Sequence, residues 1–87
     1  MDFKINGIEY ELIKIETAKS NYSEKGYTSY KCKLYISDND KFWKLTNLMR
    51  KKTTIVYKGD PMTCKLDAMV YKMDNKSRVV DLLMRRV

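Results

Sequence analysis

Between residues 27 and 36 the chain alternates with period two. Tyr30, Cys32, Leu34 and Ile36 fall on one side; Tyr27, Ser29, Lys31, Lys33 and Tyr35 fall on the other. Successive side chains of an extended strand point to opposite faces, so this stretch reads as a strand with an apolar core face and a face of aromatic rings and ammonium groups. The opening residues read as a hairpin. Asn6-Gly7 lies between the apolar-rich runs 3–5 and 8–15, and both central residues of the tightest hairpin turn need positive φ. Residues 17–26 are polar with a single Gly at their end, which predicts an exposed, mobile loop.

The period then changes. Ser37-Asp38-Asn39-Asp40 supplies capping oxygens and early carboxylates, and a helix is expected over 39–51. At 100° per residue Phe42, Leu45, Leu48 and Met49 form one apolar stripe, with Lys44, Arg50 and Lys51 away from it and Trp43 on the far side near Arg50. Residues 53–58 are β-branched and aromatic, Gly59-Asp60-Pro61 is expected to turn the chain, and 62–73 suits a long strand. After a turn at 74–77, residues 78–87 fit either a short helix or a strand apolar on both faces. The strand is preferred, because a four-residue turn pairs it directly with 62–73.

These elements predict an α+β, β-rich fold: five to six mostly antiparallel strands in a curved sheet or small open barrel, with one helix at 39–51 between the third and fourth strands. At 87 residues the chain forms one compact domain over 1–87, with no linker or internal repeat dividing it. Its 44% hydrophobic content supports a core, and no apolar run approaches the roughly 20 residues of a bilayer crossing, so no membrane partner is expected. The first residues lack the pattern of a secretory signal, which points to the cytoplasm or to a particle assembled there. Cys32 and Cys64 are then expected as reduced, buried thiols.

Charge sharpens the picture. The net charge is +7, and residues 25–58 hold nine Lys and Arg against Asp38 and Asp40 alone. A basic middle interleaved with aromatics suits a polyanionic or acidic partner. The chain contains no His, its acids occur as scattered singlets, and its three Gly are isolated turn residues. The commonest general base, a zinc set and a glycine phosphate cradle are therefore missing, and no enzymatic activity, cofactor or metal is expected.

Two surfaces carry the candidate chemistry. On the strand face, Tyr27 and Tyr35 are placed to stack on unpaired bases while Lys31 and Lys33 follow phosphates, as sheet-based single-strand binders do. An ordinary solvated strand has the same composition. On and after the helix, Lys41, Lys44, Arg50, Lys51 and Lys52 form a second basic group, which a helix C-terminus also attracts through its dipole alone. Trp43 beside Arg50 has the composition of a binding hot spot, or else Trp43 packs under the 17–26 loop. The leading expectation is a small basic non-catalytic module contacting nucleic acid, single-stranded in preference. The alternative is an interaction or assembly module, such as a subunit or inhibitor of a phage or mobile element, which docks on an acidic protein surface or self-assembles through a strand edge as a homo-oligomer.

Overall fold

The computed structural model describes residues 3–19 and 28–87. Seven strands and one helix follow in the order β1 (Phe3–Ile5), β2 (Ile8–Glu9), β3 (Glu11–Lys19), β4 (Thr28–Ile36), α1 (Asn39–Thr46), β5 (Lys52–Tyr57), β6 (Asp60–Asp74) and β7 (Ser77–Arg86). The strands form a single antiparallel sheet in the order β2-β1-β5-β6-β7-β4-β3. The fold is β-rich with one helix, as expected, and 77–86 is a strand. The strand count exceeds the expected five to six because the second strand is divided at Tyr10. β2 and β3 are the two edges of the sheet, yet they follow one another through that one residue. One continuous segment therefore serves both edges, and the sheet must curl to let it.

The inner face of the curl holds the core: Phe3, Ile5, Leu34, Ile36, Ile55, Leu66, Val80, Leu82 and Met84 are buried, with Cys32 and Cys64 among them as free thiols. Tyr10 sits at the bend with its ring buried, and its hydroxyl donates to the Lys41 carbonyl at 2.9 Å, tying the bend to the helix. Burial raises the Tyr10 pKa, and the Asp38 carboxylate raises it further.

Turn chemistry sets the hairpins. Asn6 and Gly7 both have positive φ, as the first turn requires. Lys58 and Gly59 do the same between β5 and β6, so that turn lies one residue earlier than Gly59-Asp60-Pro61 and Pro61 enters β6. Tyr57 and Asp60 flank the two-residue turn and exchange ladder bonds; Pro61 opposite Val56 thus directs its missing N–H away from β5. On that side β7 is already ending, with Val87 N–H bonded to the Thr63 carbonyl.

The helix is shorter than expected, Asn39–Thr46 and not 39–51. Its start follows the expected chemistry: the Asp38 carboxylate accepts from the Asp40 and Lys41 N–H groups at 2.8 and 3.4 Å. Its end is tertiary. The Thr46 hydroxyl and the Asn47 N–H both donate to the Trp43 carbonyl, and tight three-residue turns carry the chain to Arg50, which takes a φ of +66°. Arg50 N–H then donates to the Leu66 carbonyl at 2.6 Å, and Leu66 N–H to the Lys51 carbonyl at 3.3 Å. Phe42 and Leu45 reach the core from the helix; Leu48 and Met49 reach it from these turns. The expected 17–26 loop also begins later, since β3 runs on to Lys19; residues 20–26 lie outside the described residues.

Leu34→Ala, a truncation at the centre of the core, is expected to lower stability by about 2–5 kcal/mol. Tyr10→Phe, which loses one hydrogen bond and keeps the ring, is expected to cost about 1 kcal/mol. Urea denaturation of both variants measures the order, and a Leu34→Ala loss no larger than that of Tyr10→Phe would contradict this core.

Candidate functional site

β4 lies between β3 and β7, so its outer face meets two neighbours. Lys31 and Lys33 are exposed there, Ser29 and Tyr35 are half-buried, and Tyr27 lies outside the described residues. The register sets Lys14 and Asp81 on either side of Lys33, and Glu16 and Leu83 on either side of Lys31. Lys14, Glu16, Lys31, Lys33 and Asp81 line a shallow depression of about 190 Å³. Lys14 Nζ meets Glu16 Oε1 at 2.6 Å. That bond holds the Glu16 carboxyl below its ordinary pKa, helped by the fields of Lys31 and Lys33, and raises that of Lys14. The face is thus mixed: three ammonium groups alternate with two carboxylates. The Tyr35 hydroxyl donates to Ser77 Oγ at 2.9 Å, which fixes its ring at the end of the face.

A more concentrated group lies farther along the same outer face. Lys52 of β5 is opposite Lys65 of β6, Lys65 is opposite Arg85 of β7, and Arg85 is opposite Ser29 of β4. Three cations therefore stand in one row across three adjacent strands. Like charges directly opposite one another oppose sheet formation, so the row is a cost to the fold. Asp67 offsets part of it, with Oδ2 at 3.4 Å from Arg85 Nε. Lys51 precedes the row, and Arg50 is pinned to Leu66 of β6 beside it. On β4, Lys31 lies two residues from Ser29 and so one step from the row on the same face. Lys65 is not among the residues that the sequence singles out, whereas Arg85 and Arg86, near the end of the chain, suit either an anion contact or a solvated terminus. Lys65 shares β6 with Lys72, Arg85 shares β7 with Arg78 and Arg86, and the register that sets Lys65 opposite Arg85 is not visible in the sequence.

The helix group divides. Lys44 and Trp43 are exposed, while Lys41 is half-buried. The Trp43 ring meets Phe42 edge-on at 5.5 Å. The helical repeat that would bring Arg50 beside Trp43 ends at Thr46, so that pairing is not formed by the helix. Arg78 occupies the aromatic surroundings instead. Its guanidinium lies 4.2 Å over the Phe42 ring and 5.8 Å from that of Tyr71, and Nη1 donates to Asn39 Oδ1. Phe42 and Tyr71 meet edge-on at 4.9 Å.

Among the described residues no three of His, Cys, Asp and Glu converge to hold a metal ion, and no helix is long and apolar enough to cross a membrane. The chain matches no known family model and no curated protein.

Burial pushes the Cys32 thiol up to about 12, with the neighbouring Cys64 adding to the shift; burial also raises Cys64, against a smaller opposing field from Arg86. Neither thiol is expected to react with a disulfide reagent in the native protein at neutral pH, and both are expected to titrate together on unfolding. The Cys32 contribution to stability is complete below the ordinary thiol value of 9.0 and is lost as pH rises toward about 12, because only the unfolded chain ionises in that interval. Labelling rates with and without denaturant check the placement, and prompt modification of native protein would contradict it.

Proposed function

We propose that the chain is a small non-catalytic module that holds the backbone of a nucleic acid, single-stranded in preference, against the outer face of its sheet. The observation that carries this reading is the register-aligned row of Lys52, Lys65 and Arg85, with Lys31 and Lys33 alongside. A fold that keeps three cations opposite one another accepts mutual repulsion, and a bound polyanion relieves it. Phosphates neutralise the ammonium and guanidinium groups, counterions are released, and the complex weakens steeply with salt. On β4, Tyr35 offers a half-buried ring at the end of the face, so base stacking is a minor contributor and little sequence is read.

A second reading, docking on an acidic protein surface, is favoured by Trp43, 59% exposed beside Phe42 and within a helix carrying Lys41 and Lys44. Its anchor would be the indole, with the lysines speeding encounter.

Fluorescence anisotropy with a labelled oligonucleotide separates the two. Lys52→Gln and Lys65→Gln keep the aliphatic stems and remove the charge. Together they are expected to lower the salt slope of single-strand binding by about 1.4. Each is also expected to raise fold stability by about 0.2–1 kcal/mol, because it removes a like-charge neighbour. Trp43→Ala is expected to leave oligonucleotide affinity unchanged. Binding that ignores salt, or that Trp43→Ala abolishes and the two Gln variants do not touch, would sink the nucleic-acid reading.

A further inference from the structure

β6 outruns its neighbour. β5 pairs with it only as far as Lys65, and the Arg50–Lys51 turn covers Leu66. Beyond that point β6 pairs with β7 alone, so among the described residues its other edge is bare over 68–74. The hairpin shows which groups are free. Asp74 and Ser77 flank a two-residue turn and bond each other, so Lys72 with Val79, Val70 with Asp81 and Ala68 with Leu83 repeat that bonding. The backbone N–H and C=O groups of Met69, Tyr71 and Met73 therefore point away from β7, where among the described residues no strand pairs with them.

Among the described residues the other edges are short or interrupted, and this one is not. β2 is two residues long, and β3 is broken by a bulge between Leu12 and Lys14 and carries Glu11, Lys14 and Glu16. The β6 edge has no bulge between Ala68 and Asp74, no Pro there, and three exposed large hydrophobic side chains, Val70 at 65%, Tyr71 at 50% and Met73 at 58%. Its charge also differs from that of the whole molecule. Against a net charge of +7, residues 67–76 carry Asp67 and Asp74 against Lys72 and Lys76. Lys72 and Asp74, two residues apart on one face, offer a second, equally basic copy a contact of each sign.

We propose that two copies of the chain pair antiparallel at the hairpin end of this edge, about a two-fold axis at Met73. That register makes Met73 and its counterpart exchange two N–H···O=C bonds, and it sets Lys72 of each copy opposite Asp74 of the other. Lys72 and Asp74 share the outer face, and among the described residues neither has an ion-pair partner within its own chain. The charge pattern is self-complementary only when the strands run in opposite directions, which is what an isologous dimer requires.

Sedimentation equilibrium on nuclease-treated full chain, free of nucleic acid, tests this independently of the polyanion reading. A concentration-dependent dimer is expected. Met73→Pro removes an outward N–H without touching the β7 ladder and is expected to leave a monomer with unchanged circular dichroism. Lys72→Asp and Asp74→Lys, each creating two like-charge contacts, are each expected to weaken the dimer by about tenfold, and the double variant K72D/D74K to restore it. If Met73→Pro does not fold, the charge-swap set decides. A monomer at every concentration, an oligomer larger than two, a dimer that survives Met73→Pro, or a double variant no tighter than the single ones would overturn the proposal.

Discussion

The bend at Tyr10 is the constraint on which the other features depend. Residues 8–19 lie along β1 at one edge of the sheet and along β4 at the other, and a chain cannot do both unless the sheet curls. Curling gives the molecule an inside, which takes the large apolar side chains, and an outside, which takes the charges. It also leaves an end that the sheet cannot cover. Helix α1 sits there, capped by Asp38 and bonded through the Lys41 carbonyl to Tyr10, so that one side chain links the bend to the element that completes the core. In a chain this short, where burial only narrowly exceeds the loss of conformational entropy, such shared contacts matter more than any added surface pair.

A second irregularity organises the outer surface. The bulge at Asp67 adds one residue to β6 opposite β7 and inverts which backbone groups face which neighbour. Before it, Cys64 and Leu66 face β5 or the Arg50–Lys51 turn; after it, Met69, Tyr71 and Met73 face no paired strand among the described residues. The same residue places a carboxylate beside Arg85. One inserted aspartate therefore tempers the cation row on one side and begins the bare edge on the other.

Local signals carried much of the fold. The alternation over 28–36, the Asn6-Gly7 turn and the Asp38 cap act within a few residues of themselves, and each appears where the pattern placed it. What was not legible needed contacts between distant segments. The apolar stripe through Leu48 and Met49 has the period of a helix, but Arg50 is drawn out of it by Leu66, and no helical periodicity anticipates a bond to a distant strand. The turn at Lys58-Gly59 lies one residue before the one the sequence predicts, because Pro61 reads as a breaker unless the open side of β6 is known. The strand face of Lys31 and Lys33 was visible, whereas Glu16 and Asp81 opposite it, and the alignment of Lys52 with Lys65 and Arg85, are properties of register alone.

Strand addition and polyanion binding make compatible demands on geometry. A two-fold axis that joins two antiparallel strands into one sheet runs perpendicular to that sheet, so both outer faces stay on the same side. The two cation rows then face the same solvent, one on each flank of the joint, and a single backbone crossing the joint would meet both. Binding at the second row becomes intramolecular once the first is engaged, and its effective concentration is set by the rigid sheet between them. The charge distribution suits this division of labour: the cation row lies away from the hairpin tip, while at the tip Lys72 and Asp74 of one copy complement Asp74 and Lys72 of the other.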